Sequence, residues 1–447
     1  MKSRLPIVGW VLFDWAAQPF FTLVTTFVYA PYFAAAVAGD PVEGQALWGY
    51  AKAAAGLIIA LLSPVLGAIA DATGRRKPWI AAFGVLLVVG CAALWFGKPG
   101  GEGVLIVLVA LAIASIGAEF ATVFTNAMMP TLVPRERLGR LSGTGWAVGY
   151  VGGMVSLILV LGFLAANPQT GKTLLGILPP FGLDAAAREG DRITGPLSSI
   201  WFIVFVLPLF LFTPDVPVRL PLREAIGSGL RFLADTLRSL PQQRDMALFL
   251  LVNMIAADGL IALFAFGGIY AAGTFGWSTI EIGLFGILLT ITGTIGAYVG
   301  GRLDDRLGPK PVILASLAAL TAADIAILLI NPDYVPLIGT VTPPKPDDGL
   351  FATTAERAFL TVGLVIGLAA GPVQAAGRTL LVRLAPADRI TQYFGLFALT
   401  GKVTSFLGPL MVGIVTSALA SQKAGMAVLI GFFVVAGLLL TQVRAPA

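Results

Sequence analysis

Six polar residues lie within otherwise apolar stretches of the chain, and they are the residues best placed to do chemistry. They are Asp14, Gln18, Glu119, Asp258, Gln374 and Lys402. A charged side chain inside a hydrocarbon layer costs several kcal/mol unless it is paired or hydrated, so such residues are rare and mark substrate or ion pathways. We expect these six to bind a small polar solute or a coupling ion. Three of them, Asp14, Glu119 and Asp258, are carboxylates that could carry a proton.

Three of these assignments, those of Asp14, Asp258 and Lys402, have a structural alternative. Asp258 and Lys402 could form a buried ion pair that holds two helices together, although opposite charges are also compatible with a zwitterionic solute. Asp14, Asn126 and Arg378 could instead be gate residues or contacts between helices near the cytoplasmic face. Two other charged residues in apolar surroundings, Lys52 and Asp324, receive no role. Lys52 is close enough to the outer end of its helix to extend its ammonium group to the surface.

The composition explains why a charge at these positions is unusual. Of 447 residues, 57% are hydrophobic and only 12% are charged, whereas soluble domains carry about a quarter charged residues. The apolar residues form many runs of about 20, each long enough to cross a hydrocarbon core about 30 Å thick. The sequence therefore predicts an all-α polytopic membrane protein.

The composition argues against several kinds of catalytic and metal-binding site. The chain has no histidine and one cysteine, Cys91, which argues against zinc, haem, iron–sulfur and histidine-based catalytic sites. No phosphate-binding loop or other catalytic motif is present in the sequence. We expect no cofactor, no metal and no enzymatic activity. The net charge of +5 is explained by basic cytoplasmic loops, so nucleic acid is not an expected partner.

The apolar runs predict twelve transmembrane helices. The N-terminal sequence has no cleavage pattern of a secretory signal, so the first helix is expected to remain. Prolines within the runs predict kinks, which transmembrane helices tolerate. The predicted spans are 8–37, 46–70, 78–97, 103–131, 139–166, 197–213, 245–273, 278–302, 311–331, 356–384, 389–420 and 424–443.

The distribution of basic residues predicts the orientation. Of the 29 lysines and arginines, 20 are assigned to one side, including those in the stretches 75–77, 135–140 and 302–310, and loops rich in these residues are cytoplasmic. Both termini are then cytoplasmic. The middle segment 214–244 carries Leu222, Ile226, Leu230, Leu233 and Leu237 among arginines, which predicts an amphipathic helix at the cytoplasmic interface or a plain linker.

Two loops on that side repeat one pattern. Both read Gly-x-x-x-Asp-x-x-Gly followed by basic residues, after the second and after the eighth span. Glycines let two helices approach closely, and an aspartate can cap a neighbouring helix or pair with arginine. Such clusters can hold one conformation closed, so we interpret them as a gate. Its predicted residues are Gly67, Asp71, Gly74, Arg75 and Arg76 in the first copy, and Gly301, Asp305, Arg306 and Gly308 in the second.

A second repeated pair supports an internal duplication. Pro134, Arg137, Gly143 and Gly149 recur as Pro386, Arg389, Gly395 and Gly401 at one constant offset, as expected of transporters built from repeats. The same offset makes Asn126 and Arg378 equivalent, and we place both at the gate. The predicted organisation is an N-terminal six-helix bundle at 1–213, a linker at 214–244 and a C-terminal six-helix bundle at 245–447.

The repeated loop resembles that of the major facilitator superfamily, whose pattern is G-x-x-x-D-[RK]-x-G-R-[RK]. Ala72 replaces a basic residue in the first copy, and Pro309 replaces an arginine in the second. The resemblance implies two pseudo-symmetric six-helix bundles that alternate access to a central site. In that architecture the first, fourth, seventh and tenth helices line the cavity, which implies that Asp14, Gln18, Glu119, Asp258 and Gln374 face it.

A narrower resemblance extends over nearly the whole chain. The segments that carry it resemble the autophagy-related vacuole effluxer branch, and they include 9–20, 31–33, 142–153, 374–378, 394–396, 401–405 and 408–409. Eukaryotic members of that branch are associated with amino acid export from the vacuole. The chain departs from the branch at Ala17, Gln18, Ala376 and Gly377, which are close to the expected pocket.

The function expected from the residues and the resemblance together is secondary active transport. We predict a monomer in the bacterial inner membrane that exports a small polar solute, with an amino acid as the first candidate and protons as the candidate coupling ion. The alternative is a non-transporting assembly or pigment-delivery factor built on the same fold. A membrane-embedded enzyme would need a catalytic constellation that the sequence lacks.

Overall fold

The computed structural model describes residues 4–39, 41–168, 170–277, 279–343 and 349–444. Within these residues, twelve helical spans are long and apolar enough to cross a membrane, and each overlaps one predicted span, which confirms the all-α fold with twelve helices. They are span 1 (Leu5–Val37), span 2 (Leu47–Thr73), span 3 (Lys77–Phe96), span 4 (Val104–Leu132), span 5 (Arg135–Leu164), span 6 (Glu189–Phe212), span 7 (Arg244–Phe275), span 8 (Glu281–Leu307), span 9 (Pro309–Leu329), span 10 (Thr354–Leu384), span 11 (Ile390–Leu419) and span 12 (Gln422–Thr441).

The spans are built from α-helices with short π-helical and 3₁₀ segments. The α-helices are α1 (Leu5–Pro19), α2 (Tyr29–Tyr32), α3 (Pro41–Thr73), α4 (Lys77–Ala93), α5 (Val104–Asn126), α6 (Met129–Leu132), α7 (Leu138–Leu159), α8 (Glu189–Arg192), α9 (Thr194–Phe212), α10 (Leu222–Ser239), α11 (Arg244–Phe275), α12 (Thr279–Leu307), α13 (Pro309–Leu329), α14 (Thr354–Leu384), α15 (Ile390–Val403), α16 (Leu407–Leu419) and α17 (Gln422–Thr441). The π-helical segments are Phe20–Phe27, Phe33–Val37 and Val160–Leu164, and the 3₁₀ segments are Leu94–Phe96, Arg135–Arg137, Pro180–Gly182 and Leu240–Gln242. An antiparallel hairpin joins β1 (Tyr334–Val335) to β2 (Gly339–Thr340).

Proline and glycine interrupt two spans, as the sequence predicts. In span 1, α1 ends at Pro19 and π-helical turns follow. In span 11 the α-helix ends at Val403 and resumes at Leu407. Pro409 has no amide hydrogen to donate to the carbonyl of Ser405 four residues earlier, so an uninterrupted helix would leave that carbonyl unsatisfied. Pro409 therefore favours the break in span 11, whereas Pro64, Pro208 and Pro372 lie inside continuous α-helices.

Span 6 begins eight residues earlier than the sequence predicts. The added turn contains Asp191 and Arg192, which hydropathy assigns to a loop. Both are buried: the Arg192 guanidinium donates to the Trp95 carbonyl at 2.8 and 2.9 Å and stacks over the Trp95 ring. Tertiary partners therefore make a charged helical turn acceptable at this position.

The contacts divide the chain into two compact units. Unit 1 comprises Met1–Leu132, Val148–Leu233 and Asp388–Gly395, and unit 2 comprises Val133–Ala147, Ala234–Ala387 and Leu396–Ala447. Each unit thus consists mainly of one predicted half and includes a short segment from elsewhere in the sequence. The core of unit 1 is rich in aromatic residues, where the Tyr29 and Tyr32 hydroxyls donate to carbonyls at 2.6 and 2.7 Å. In unit 2, Trp277 donates to the Glu356 carboxylate at 3.0 Å.

The linker contains helix α10, whose apolar residues are buried in part and exposed in part. Ala225 packs with Ile69 and Ala72 at the end of α3, and Gly229 lies close enough to Ile69 that a side chain there would contact its backbone. A second set remains exposed: Leu222, Ile226, Leu230 and Leu237. Leu233, which the sequence groups with the exposed set, is buried instead.

Candidate functional site

The first repeated loop, residues 71–77, forms a buried polar cluster and is called the first-copy loop below. The Asp71 carboxylate accepts hydrogen bonds from the backbone amides of Thr391 and Gln392, at 3.1 and 2.8 Å, where α15 begins. A helix N-terminus presents unpaired amides and a partial positive charge, so a carboxylate is a favourable partner. Asp71 therefore caps α15 from a position 320 residues away in sequence.

Arg76 completes this cluster from within the same unit. Its guanidinium lies 3.3 Å from the Asp71 carboxylate and donates to the Thr391 hydroxyl at 3.2 Å. Burial lowers the pKa of the Arg76 guanidinium from its usual value, and the Asp71 charge opposes that shift. Both side chains are almost fully buried, so neither charge can be removed without leaving the other unpaired.

Two glycines bring the backbones of this cluster together. A side chain at Gly67 would lie 2.6 Å from the Thr391 carbonyl oxygen, and one at Gly395 would collide with the Ser63 carbonyl. Gly74 has φ +86°, which disfavours other residues, and a side chain there would meet the Pro217 carbonyl. The predicted gate residues Gly67, Asp71, Gly74 and Arg76 are thus brought together, while Arg75 is exposed at the edge.

The second repeated loop, residues 305–310, is called the second-copy loop and is organised more loosely. The Asp305 carboxylate accepts from the Arg140 amide at 2.9 Å, near the start of α7, and lies 3.3 Å from the Arg140 guanidinium. The Arg140 side chain is 58% exposed. A side chain at Gly301 would collide with the Gly139 carbonyl, so glycine permits close packing in this copy too. Gly308 has φ +86°, and Arg306 is exposed.

Asp304, next to Asp305, belongs to this cluster but is absent from the sequence prediction. It is fully buried, accepts a hydrogen bond from the Thr379 hydroxyl and lies 3.9 Å from the Arg383 guanidinium. The repeat pattern selected Asp305 because only that position matches Asp71. The sequence does show that Asp305 is preceded by a second aspartate, Asp304. The repeat pattern does not indicate which residues of other spans Asp304 contacts.

Asn126 and Arg378 are both buried, in different units. Asn126 is the last residue of α5 and is 8% exposed. The Arg378 guanidinium lies 4.8 Å from the centre of the Trp146 ring, close to the hydrogen bond from Ser142 to the Ala375 carbonyl at 2.8 Å. A cation over an aromatic face is a favourable contact, strengthened by burial. Their predicted role at the gate remains a prediction.

In unit 1, Asp14 and Gln18 lie together against glycines of span 5. A side chain at Gly149 would approach the Asp14 Cβ at 3.3 Å and the Gln18 Oε1 at 3.4 Å. The Gln18 amide also donates to the Thr22 hydroxyl at 3.4 Å. Asp14, Gln18 and Thr22 thus form a polar face of span 1 that packs against glycines of span 5. Glu119 is partly buried on α5.

In unit 2, Asp258 lies against the break in span 11. Asp258 is 1% exposed, and its Oδ1 has no hydrogen-bond partner among the described residues. Thr404, within the break, lies beside its carboxylate. A side chain at Gly408 would collide with the Asp258 carbonyl, so α16 begins in contact with α11. A discontinuous helix beside a buried acid is a recurrent arrangement at transport sites.

Lys402 occupies the last turn of α15, on the other side of the same break. Its carbonyl accepts from the Ser405 amide at 3.2 Å and the Ser405 hydroxyl at 2.9 Å, which closes the helix end. No salt bridge joins Asp258 to Lys402 within the described part of the chain. The two hydrogen bonds from Ser405 thus fix the backbone of Lys402 at this helix end.

The remaining polar residues at membrane depth are dispersed. The Gln374 amide donates to the Ala370 carbonyl at 3.3 Å on its own helix. Asp324 is fully buried on α13, and both of its carboxylate oxygens lack a hydrogen-bond partner among the described residues. Lys52 is partly buried on α3. Among the described residues, no group of three or more histidine, cysteine, aspartate or glutamate residues could hold a metal ion.

Sequence comparison finds a matching family, a bacterial relative that aligns over nearly its whole length, and fungal relatives that align over part of theirs. The profile of the family described as "Vacuole effluxer Atg22 like" matches residues 2–446. An "Uncharacterized MFS-type transporter YxiO" of Bacillus subtilis (strain 168) is 25% identical over 436 residues, covering 96% of this chain and 92% of that protein. "Autophagy-related protein 22" of Yarrowia lipolytica is 23% identical over 305 residues, covering 62% of this chain and 45% of that protein. The chain thus spans less than half of the fungal relative.

Solved structures share the fold at low sequence identity. The human organic anion transporter MFSD10 (TETRAN) superposes with a TM-score of 0.71 at 15% identity and covers 98% of this chain and 100% of its own. The major facilitator superfamily transporter FucP in the outward conformation superposes with a TM-score of 0.69 at 15% identity, covering 100% and 99%. The likeness establishes the architecture.

Proposed function

Because the chain belongs to the vacuole effluxer Atg22-like family of major facilitator superfamily transporters, we propose that it exports an amino acid across the cytoplasmic membrane in exchange for protons. The protein is an integral multi-pass membrane protein of twelve spans. The substrate class, the coupling ion and the direction are our proposal. The family description as an effluxer supports the direction, and the residues at membrane depth support the other two.

The observation that carries the proposal is the buried Asp258 beside the break in span 11. A carboxylate that is 1% exposed, with one oxygen unsatisfied among the described residues, is costly to keep ionised in a low-dielectric interior. It becomes favourable when a proton or an ammonium group binds. Proton binding and substrate binding at one carboxylate would exclude each other, which is the simplest basis for exchange.

Lys402 supplies the complementary charge for a zwitterionic solute. It lies at the end of α15, two residues before Thr404, in the segment that approaches Asp258. In this proposal the substrate's ammonium group binds at Asp258 and its carboxylate binds at Lys402. Gln374, Asp14, Gln18 and Glu119 are proposed to contribute hydrogen bonds or further proton sites.

The gate is proposed to reside in the two repeated loops. Asp71 holds the start of α15 and Asp305 holds the start of α7. Breaking these bonds would free the ends of spans 2 and 8, so their formation and rupture would accompany alternating access. The basic loops support cytoplasmic termini, and we propose a monomer in the bacterial inner membrane.

Transport in proteoliposomes tests the substrate and the residues together. Purified protein is reconstituted, and the flux of each labelled amino acid is measured with and without a pH gradient. We expect gradient-driven flux of at least one amino acid. Asp258→Asn should lower it at least tenfold and remove its pH dependence, and Lys402→Ala should lower it at least tenfold by raising KM.

Asp235→Asn is the matched control, because it makes the same chemical change on the exposed face of linker helix α10. It should transport at the normal rate. Full transport by both Asp258→Asn and Lys402→Ala would remove these residues from the site. Gradient-driven transport of sugars or nucleosides, with none of amino acids, would overturn the substrate class.

A further inference from the structure

A strongly basic cavity opens at the second-copy loop, and neither the substrate step nor the proton step proposed above uses it. Its volume is about 770 Å³, and it lies within unit 2 where spans 5, 8, 9, 10 and 12 begin or end. Two acidic side chains, Glu136 and Asp305, also line it. Five cationic side chains line this basic cavity: Arg135, Arg306, Lys310, Arg383 and Arg444.

The internal contacts of the chain leave much of this positive charge available. Lys310 donates to the Thr441 and Val443 carbonyls at 2.8 and 2.7 Å, and Arg383 lies 3.9 Å from Asp304. The side chains of Arg135, Arg306 and Arg444 are exposed and form no salt bridge or hydrogen bond within the described residues. Asp305 is already engaged by Arg140. The cavity therefore favours an anion.

The equivalent place in the first copy already contains an anionic group from the chain. Asp215, three residues beyond the end of span 6, accepts from the Arg76 and Lys77 amides at 3.0 Å each, where α4 begins. Three residues beyond the end of span 12 the chain has Arg444, which lines the basic cavity. The second copy thus replaces a carboxylate with a cation at the corresponding position.

An apolar stripe on span 8 leads to the cavity. Ile295, Val299, Leu303 and Leu307 are spaced four residues apart, so they share one helix face, and all are 41–62% exposed. Leu307 is itself part of the cavity lining. A ligand that combines a phosphate with a long apolar chain would match both features, since the phosphate would meet the arginines while the chain lies along the stripe.

We propose that the basic cavity binds the phosphate headgroup of an anionic phospholipid, with an acyl chain along the stripe of span 8. Arg306, Arg135 and Arg444 hold the phosphate oxygens, and Lys310 positions the end of span 12. A bound lipid phosphate would supply the negative charge that Asp215 supplies in the first copy, although Pro311 offers no amide equivalent to that of Lys77. The proposal is independent of the substrate and of proton coupling, because none of these residues is proposed to bind the substrate or a proton, although Arg306 also belongs to the proposed gate.

Native mass spectrometry of the full-length protein tests this site. Binding of phosphatidylglycerol is titrated against phosphatidylcholine, and soluble glycerol phosphate and inorganic phosphate are titrated in parallel arms. We expect selective binding of phosphatidylglycerol and much weaker binding of both soluble phosphates. The double variant Arg306→Gln with Arg444→Gln should lose about tenfold in affinity for phosphatidylglycerol. Leu307→Asn should lose affinity for the lipid but none for glycerol phosphate.

The charge-matched control is Arg137→Gln with Arg238→Gln, because both arginines are exposed and line no part of the cavity. It should bind phosphatidylglycerol as the unmodified protein does. Equal lipid affinity in the cavity variant and in this control would overturn the proposal. Glycerol phosphate or inorganic phosphate binding as tightly as the lipid would overturn the assignment to a lipid.

Discussion

The first-copy and second-copy loops share one sequence pattern but have different surroundings. In the first, Asp71 accepts two backbone hydrogen bonds and pairs with buried Arg76, while Asp215 in the segment after span 6 caps α4. In the second, Asp305 accepts one backbone hydrogen bond and pairs with a largely exposed arginine, beside an open basic cavity. In both copies the aspartate of the motif thus caps a helix. The two copies differ in how fully their charges are neutralised by neighbouring groups.

The segment that follows each half produces this difference. Residues 213–219 pack onto the first-copy loop, where the Arg219 amide donates to the Thr73 carbonyl at 2.9 Å and Gly74 contacts Pro217. Next to the second-copy loop the chain contributes Val443 and Arg444, whose carbonyl and side chain border the cavity. Four substitutions test how much each loop depends on its surroundings.

The largest effect is expected from Asp71→Asn. This change leaves the Arg76 guanidinium buried without a counter-charge and weakens two hydrogen bonds to α15. Loss of one partner of a buried pair costs about 3 kcal/mol or more. The apparent free energy of unfolding, measured by denaturant titration in detergent, should fall by that amount. A loss below 1 kcal/mol would show that the cluster contributes little to the native state.

A smaller effect is expected from Asp215→Ala. Two backbone amides at the start of α4 lose their acceptor, and loss of a helix cap costs about 1–2 kcal/mol. The midpoint of thermal unfolding should decrease accordingly. Asp235→Asn, on the exposed face of α10, provides the control and should leave that midpoint unchanged. An unchanged midpoint in Asp215→Ala would show that the Asp215 carboxylate does not stabilise the start of α4.

Asp305→Asn should cost about 1 kcal/mol, less than the equivalent change at Asp71. One amide keeps an oxygen acceptor, and the lost ion pair involves a side chain that is 58% exposed, where pairing contributes little. The same denaturant titration compares the loss of unfolding free energy in Asp305→Asn with the loss in Asp71→Asn. Equal losses for Asp71→Asn and Asp305→Asn would contradict the difference between the loops.

The smallest effect on stability is expected from Arg444→Asp, which places an acid at the position corresponding to Asp215. Unfolding free energy should change by less than about 0.5 kcal/mol, because Arg444 is exposed. Affinity for phosphatidylglycerol should fall, since the substitution removes a positive charge from the cavity and adds a negative one. Undiminished lipid binding by this variant would show that Arg444 does not bind the lipid phosphate, and the comparison of Arg444 with Asp215 would then not explain the cavity.

Much of the architecture could be predicted from local sequence. Twelve apolar runs, the kink at Pro19 and the interruption near Pro409 each depend on a few consecutive residues, because a backbone in hydrocarbon must satisfy its own hydrogen bonds. Span 6 shows the limit of hydropathy. In its first turn the buried Asp191 carboxylate accepts from the Arg188 guanidinium at 2.6 Å, and the buried Arg192 guanidinium donates to the distant Trp95 carbonyl.

The candidate site was predictable to a smaller extent. Intramembrane charge identified Asp258 and Lys402, and the repeat identified Asp71 and Asp305. Sequence spacing gave no indication that Asp258 lies against the break in span 11, since Gly408 is 150 residues away. The repeat pattern also omitted Asp304, whose partners Thr379 and Arg383 lie on span 10.

The sequence by itself determined the membrane environment, the twelve spans, the internal repeat and the family, because each is recorded in hydropathy or in patterns of neighbouring residues. Only the tertiary structure decided which amides Asp71 caps, which carboxylate remains without a full set of partners and where the chain leaves a cavity. Those outcomes depend on distances between segments as much as 320 residues apart. An apolar side chain is stable in the interior without a specific partner. A buried charge is stable there only with a partner that packing places beside it.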